Sequence, residues 1–265
     1  ISERRLPQDG RVSLSLGDKS VDVRVSSLPS SYGERIVLRI LDKQAAQINI
    51  DDLGLPPKIL ANYKSSLKNP EGIILFTGPT GSGKTTTLYS GLRYLSDSSQ
   101  NILTVEDPIE YTLNGIGQTQ VNNKTGYTFA KGLRAILRQD PDIVMVGEMR
   151  DIETAQIGIQ SSLTGHLVLS TVHTNSAVAA ITRLRDMGIE SFLLASSLRT
   201  IISQRLVRRL CPHCKTKDKP SIKSVDIFGL DKNKSVYSAK GCDECNQTGY
   251  QGRIAIAECI QIDKT

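Results

Sequence analysis

The chain has no tryptophan, and aromatic residues make up only 5% of its 265 positions. Proteins that grip single-stranded nucleic acid by stacking need repeated aromatic platforms, so this scarcity argues against a nucleic-acid motor. Long apolar stretches are also missing. No run approaches the roughly 18 apolar residues of a membrane-spanning helix, and the start, "ISERRLPQDG", is charged and lacks the apolar core of a signal peptide. Internal repeats and low-complexity segments are absent too. What is present is ordinary for a folded domain: 38% hydrophobic residues and a formal net charge of +6. That charge suits nucleic acid, anionic lipid or an acidic protein partner, and equally a surface that is merely basic. The first residue is isoleucine rather than methionine, which leads us to expect a fragment of a longer protein.

The pattern of the chain changes along its length. In residues 11–41, "VSLSL", "VDVRV" and "RIVLRIL" read as strands, the first two with clean period-two alternation. They predict a small antiparallel sheet domain over residues 1–50, incomplete at its start. "DDLGLPP" (51–57) reads as a linker into a helix that opens on proline. From Gly72 onward, near-continuous apolar runs alternate with helical stretches. The runs are "GIILFT" (72–77), "NILTVED" (101–107), "DIVMVGE" (142–148) and "HLVLSTV" (166–172), the composition of strands buried on both faces of a parallel sheet. An α/β domain over 58–210 follows, with a helical block expected near 191–210.

Within that domain, "GPTGSGKT" matches G-x-x-x-x-G-K-[ST] from Gly78 to Thr85. The glycines permit close approach of successive backbone N–H groups to phosphate, and the helix that follows presents its positive end. Gly78, Pro79, Thr80, Gly81, Ser82, Gly83, Lys84, Thr85 and Thr86 are therefore the expected nucleotide-binding residues. Lys84 would reach the β- and γ-phosphates and the Thr85 hydroxyl would bind Mg²⁺. Hydrolysis needs carboxylates facing this loop. Glu148 ends one apolar strand and is a candidate for holding Mg²⁺ through water or for activating the attacking water. Glu106 and Asp107 end another, where strand C-termini face the ligand crevice.

Two C-x₂-C pairs, Cys211/Cys214 and Cys242/Cys245, have the form of a four-thiolate zinc site. Such a site is closed and structural. Disulfides are the competing reading, disfavoured because an ATP-consuming enzyme works in a reducing compartment. His213 lies between two ligands and is not expected to be one. Cys259 is left over as a buried thiol. A basal expectation of residues 211–252 as a zinc-binding subdomain, with 253–265 beginning a further C-terminal region, follows.

The stretches "GPTGSGKTTTLY", "ILTVEDPIE", "RAILRQDPDIVMVGEMRD" and "TGHLVLSTVHT" occur in the order of the Walker A, Asp box, Walker B and His box motifs. In this the chain resembles the secretion ATPases of type II secretion and type IV pilus assembly, and most the type II branch. The resemblance implies a RecA-like P-loop ATPase domain behind a partial PAS-like sheet. It implies that His173 senses the γ-phosphate region, with His166 earlier in the same box. It also implies that Arg24 and Arg39 of the first domain point at the nucleotide, with Arg134, Arg138 and Arg150 as weaker candidates. The implied activity is an ATP-hydrolysing cytoplasmic motor, a hexameric ring, that powers pseudopilus assembly and protein export. Its implied partners are inner-membrane platform proteins and anionic phospholipid, at the cytoplasmic face of the bacterial inner membrane, with no nucleic acid. A type IV pilus-extension ATPase is the alternative, since that branch carries the four cysteines as well.

Overall fold

A computed structural model describes residues 3–16, 19–41, 48–97, 99–221, 225–227, 229, 231 and 233–262. The first three strands, β1 (Gln8–Leu16), β2 (Lys19–Ser30) and β3 (Gly33–Leu41), form an antiparallel sheet in chain order. Register places Val12 opposite Val23 and Val23 opposite Ile40, so the alternation read from the sequence becomes one apolar row across three strands. The turn expected at "GDK" falls largely outside the described residues.

A 3₁₀ turn at Ile50–Leu53 leads to helix α1 (Pro57–Leu67), which opens on proline as its missing N–H permits. The main domain then alternates β4 (Gly72–Thr77), α2 (Lys84–Leu95), β5 (Ile102–Glu106), β6 (Gly117–Gln120), α3 (Phe129–Ile136), β7 (Ile143–Val146), α4 (Ile152–Leu163), β8 (Leu167–Val172), α5 (Ala177–Asp186), α6 (Ser191–Ser197) and β9 (Leu198–Leu210). A short hairpin of β10 (Thr216–Asp218) and β11 (Val236–Ser238) precedes the last strand, β12 (Tyr250–Gln261). The main sheet has seven strands in the order β12-β9-β4-β8-β7-β5-β6, all parallel except β12, which runs antiparallel to β9.

Both faces of the sheet are covered, which is why its central strands are mostly apolar. Ile74 and Phe76 of β4 pack with Leu88 and Leu92 of α2 and Tyr63 of α1, while Ile73 and Leu75 face Ile159 of α4, Ala180 of α5 and Leu194 of α6. A third cluster sets Val105, Val144 and Val146 against Phe129, Leu133 and Ile136 of α3. Helices α3, α4 and α5 start at Thr128, Asp151 and Ser176, whose side chains accept N–H bonds from the first turn.

One sequence reading changes here, and two features are added to it. The helical block expected at 191–210 is helical only over Ser191–Ser197, and Leu198–Leu210 is a strand paired to β4 on one side and β12 on the other. Its Thr200, Ile201 and Ile202 are β-branched and fully or almost fully buried, so the sheet outweighs the helical spacing of its leucines and arginines. Strand β6, too polar to announce itself, joins the edge of the sheet. Residues of the expected C-terminal region, up to Gln261, are built into the main sheet through β12.

Candidate active site

The C-terminal ends of β4, β5, β7 and β8 lie on one edge of the sheet, and each delivers a residue to a single cleft of ≈ 610 Å³. After β4 comes the loop 78–83. Gly78, Gly81 and Gly83 have φ of 143°, 77° and 88°, conformations that glycine alone adopts without strain. Lys84, the first residue of α2, is 8% exposed, and its Nζ donates to the carbonyls of Gly78 at 2.7 Å and Pro79 at 3.1 Å. The ammonium thus lies folded over its own loop. Burial lowers its pKa, an effect that the Glu148 carboxylate opposes. Ser82 Oγ is buried with no hydrogen-bond partner among the described residues. A loop with a cation, an unmet hydroxyl and no side chain near the Cβ position of Gly81 suits a phosphate chain. Beneath the loop lies Gln204 of β9, which accepts from Thr87 Oγ1 at 2.9 Å.

The two glutamates occupy different environments. Glu106, at the end of β5, is 3% exposed. Its Oε1 accepts from Thr104 Oγ1 at 2.6 Å and from Gln118 Nε2 at 3.0 Å, and its Oε2 accepts from the Tyr89 hydroxyl. Burial raises its pKa, and the three donors pull it back without cancelling the rise. Glu148 lies just past β7 and is half-buried. Arg150 Nε donates to its Oε2 at 2.5 Å, and His173 Nε2 lies 3.3 Å from its Oε1. Asp107 lines the same cleft but is exposed.

The structure brings together Lys84, Thr85, Thr86, Glu106, Glu148, His173 and Arg39 as lining residues of this cleft. Thr85 is exposed to it, its hydroxyl available to a metal bound with phosphate. Arg24 lies apart: its Nη2 pairs with Glu110 Oε2 at 3.0 Å, tying β2 to the loop after β5. Arg11 reinforces that contact by donating to the Ile109 carbonyl. His166 is at the other edge of the sheet, its Nδ1 3.0 Å from the Ser161 carbonyl, in a structural setting. Arg134 pairs with Glu153 at 2.6 Å on the surface, and Arg138 caps the Arg134 carbonyl at 2.8 Å. Sequence reasoning did not single out Tyr89, Gln118 or Gln204. Their partners are distant in sequence, and although Tyr89 closes the "GPTGSGKTTTLY" stretch it is not one of the phosphate-binding positions there.

The four cysteines gather beyond the end of β9. Cys211 Sγ lies 3.9 Å from Cys242 Sγ, Cys214 Sγ 3.8 Å from Cys245 Sγ, and Cys242 Sγ 3.7 Å from Cys245 Sγ. All four sulfurs lie within 4.8 Å of one another. A tetrahedron with Zn–S bonds of about 2.3 Å has edges of about 3.8 Å, so the spacing suits one zinc ion. A disulfide needs sulfurs about 2.05 Å apart. Although burial pushes the Cys245 thiol up, N–H groups of Cys242 and Gly249 donating to its sulfur bring its pKa down to about 6. His213 is exposed and outside the cluster. Cys259 packs against the main core from β12, and burial raises its pKa.

Known proteins resemble this chain in sequence and in fold. The chain is 58% identical over 265 residues to "Type II secretion system ATPase E" of Vibrio cholerae serotype O1, covering 99% of this chain and 53% of that protein. It is 58% identical over 264 residues to "Putative type II secretion system protein E" of Escherichia coli K12, covering 99% of this chain and 54% of that protein. The chain therefore spans about half the length of the curated relatives it matches. Among solved structures, the pilus retraction motor PilT with bound ADP superposes with a TM-score of 0.66 at 36% identity, covering 78% of this chain and 61% of that one. The ATPase DotB of Legionella pneumophila superposes with a TM-score of 0.68 at 25% identity, covering 98% of this chain and 63% of that one. A parallel sheet with a phosphate loop, paired glutamates and a four-cysteine cluster is thus set in a chain that the family model described as "Type II/IV secretion system protein" matches over residues 1–265, and the chain belongs to that family.

Proposed function

We propose that this chain is the nucleotide-hydrolysing part of a motor that powers pseudopilus assembly and protein export in type II secretion. The observation that carries the proposal is the convergence of Lys84, Glu106, Glu148 and His173 on the cleft that opens above the 78–83 loop. The relatives named above and the ADP-bound structural neighbour support the same reading.

In this reading the N–H groups of the loop and Lys84 bind the phosphates, and Lys84 exchanges its two loop carbonyls for phosphate oxygens. Mg²⁺, when bound, neutralises charge on the β- and γ-phosphates; Thr85 would hold it directly and Glu148 through water. Glu148 is suited to the task because it lines the cleft in a fixed position, with Arg150 Nε on one carboxylate oxygen at 2.5 Å and His173 Nε2 3.3 Å from the other. Glu106 takes the proton of the attacking water, and the raised pKa that burial gives it makes it a stronger base than an ordinary carboxylate. Its Oε2 accepts a hydrogen bond from the Tyr89 hydroxyl and keeps a lone pair for that water. Arg39 lies in the lining of the cleft, and Arg24 reaches it when the first sheet shifts; both would neutralise charge that develops on the phosphates. Cys211, Cys214, Cys242 and Cys245 would hold one structural Zn²⁺.

The working protein is a hexameric ring at the cytoplasmic face of the inner membrane, in contact with platform proteins and anionic lipid rather than nucleic acid. No helix among the described residues is long and apolar enough to cross a membrane. The test is ATP turnover by the full-length protein and its Lys84→Ala variant, with export of the secreted substrate followed in cells. Loss of about 10²-fold or more, the scale of removing one preorganised group from a charged transition state, is expected. Turnover at the wild-type rate would refute the assignment.

A further inference from the structure

We infer that Tyr89 is a positioning residue: its one hydroxyl holds the Glu106 carboxylate in register with the phosphate-loop helix and ties both to the loop that docks the first sheet. The inference rests on the role proposed above for Glu106 in ATP hydrolysis.

Tyr89 is in α2, the helix that begins at Lys84, and its side chain is 2% exposed. The hydroxyl is a meeting point of three elements. It donates to Glu106 Oε2 at the end of β5. It accepts from the Glu110 N–H at 3.3 Å, and Gln118 Nε2 of β6 comes within 3.5 Å. Its ring meets Tyr111 edge-on at 5.5 Å between centroids. Burial, then the charge of Glu106, pushes the phenol far above its ordinary pKa, so it remains a donor across the working range.

Two consequences follow from this geometry. The distance between the phosphate loop and Glu106 depends on a side chain from the same helix as Lys84, so a shift of α2 on phosphate binding moves the carboxylate with it. The same hydroxyl also fixes the backbone of Glu110, whose carboxylate holds Arg24 of β2 at 3.0 Å. Docking of the first sheet is thereby registered at the atom that holds Glu106. A loss of the hydroxyl alone leaves the ring, its contact with Tyr111 and the core packing in place. It removes the one donor to Oε2 among the described residues and frees the Glu110 N–H.

The charged and titratable groups around Glu106 are Tyr89 from α2, Asp107, Glu110 and Tyr111 from the loop after β5, and, across the cleft, Lys84, Glu148, Arg150 and His173, with Arg39 of β3 and Arg253 of β12 in the same lining. Of these, Tyr89 donates a hydrogen bond to the carboxylate and Glu110 raises its pKa by charge.

The experiment uses Tyr89→Phe in full-length protein, with three readouts: kcat against pH, affinity for a non-hydrolysed ATP analogue with Mg²⁺, and amide hydrogen exchange over residues 107–111. Removing a hydrogen bond to a carboxylate should lower kcat about 10- to 100-fold. The acid limb of the kcat profile should move to higher pH, because a carboxylate that loses a donor binds its proton more tightly. Analogue affinity should change less than about threefold, since the phosphate loop is untouched, and exchange over 107–111 should accelerate. An unmoved acid limb overturns the inference whether kcat is normal or reduced, because a merely structural tyrosine would lower activity without shifting it. If wild-type protein turns over ATP in a Lys84-dependent manner while Tyr89→Phe matches it, this inference fails and the function stands. If wild-type protein does not turn over ATP, both fail.

Discussion

Replacing Gly78 by alanine should damage nucleotide binding far more than the same change at Gly81, and the structure says by how much. A Cβ on Gly78 would lie 2.3 Å from the Gln204 carbonyl oxygen and 2.8 Å from Ser82 Oγ. The serine can turn away, but the carbonyl cannot. Gln204 is in the middle of β9, with Ser203 paired to Thr77 of β4 and Gln204 paired to Ala257 of β12. The loop must therefore move. Its φ of 143° adds backbone strain of about 1–3 kcal/mol for any residue with a side chain. A displaced loop also misaligns at least one N–H aimed at a charged oxygen, a bond worth roughly 1.5–3 kcal/mol. If half of the strain is relieved by the movement, about 3 kcal/mol remains, or roughly 10²-fold in affinity. Gly81 has φ of 77° and nothing within 4 Å of its Cβ position. Its alanine variant suffers only the left-handed penalty of about 1 kcal/mol, roughly a fivefold effect. Titration calorimetry with a non-hydrolysed ATP analogue and Mg²⁺ separates the two, and thermal unfolding checks that both variants are folded. The reasoning is wrong if Gly78→Ala binds within threefold of wild type, or if Gly81→Ala binds as poorly as Gly78→Ala.

Glu148→Gln should keep nucleotide bound and lower turnover about 10²-fold or more, the range of a lost acid–base or metal-positioning group; near-normal single-turnover rates would leave that role to Glu106 alone. Arg24→Ala removes a partly exposed ion pair to Glu110, so global stability by denaturant titration should change by less than about 1 kcal/mol. Turnover by the assembled full-length protein should nevertheless fall, and normal turnover would remove Arg24 from the site. Cys242→Ser/Cys245→Ser should lose zinc by elemental analysis and expose the segment from about Leu210 to Gly252 to protease, while ATP-analogue affinity changes less than about tenfold; wild-type protein purified without zinc, or a loss of affinity as complete as in Lys84→Ala, would contradict this.

The parallel strands at the heart of the fold were legible because burial on both faces leaves a run such as "GIILFT" no exposed positions, so it reads as almost wholly apolar, and the phosphate loop was legible because close backbone approach demands glycine at fixed spacing. Leu198–Leu210 was not legible as a strand. Its first half is buried in the sheet, whereas its second half projects toward the cysteines and carries Arg205, Arg208 and Arg209, so no single period runs through it. Arg208 stacks on Tyr250 at 3.9 Å in the neighbouring strand, a cross-strand contact that sequence spacing does not encode. Strand β6 escaped for a different reason: as an edge strand it needs no apolar run, and its Gln118 faces Glu106 rather than the core.

The same distinction separates the legible from the hidden part of the candidate site. Lys84, Glu106, Glu148 and His173 each lie at or beyond the end of a parallel strand, and the topology of such a sheet brings those ends to one edge. Their meeting is a consequence of chain direction, which a pattern of β and α elements reveals. The positions of Arg24, Tyr89 and Gln204 depend instead on which element packs beside which. Tyr89 occupies a buried helical position that any large apolar residue could fill as far as the core is concerned. Only the carboxylate beside its ring makes the hydroxyl matter. Gln204 looks like a polar interruption in a strand until the glycines of the loop are seen to rest on its backbone and side chain. Arg24 alternates along β2 as a solvent-facing residue should, and acquires a role because the loop after β5 brings Glu110 to it. Groups that touch the phosphates are constrained by chemistry and carry a signature. Groups that hold them in place are constrained by packing, and each of these becomes readable only through its partner.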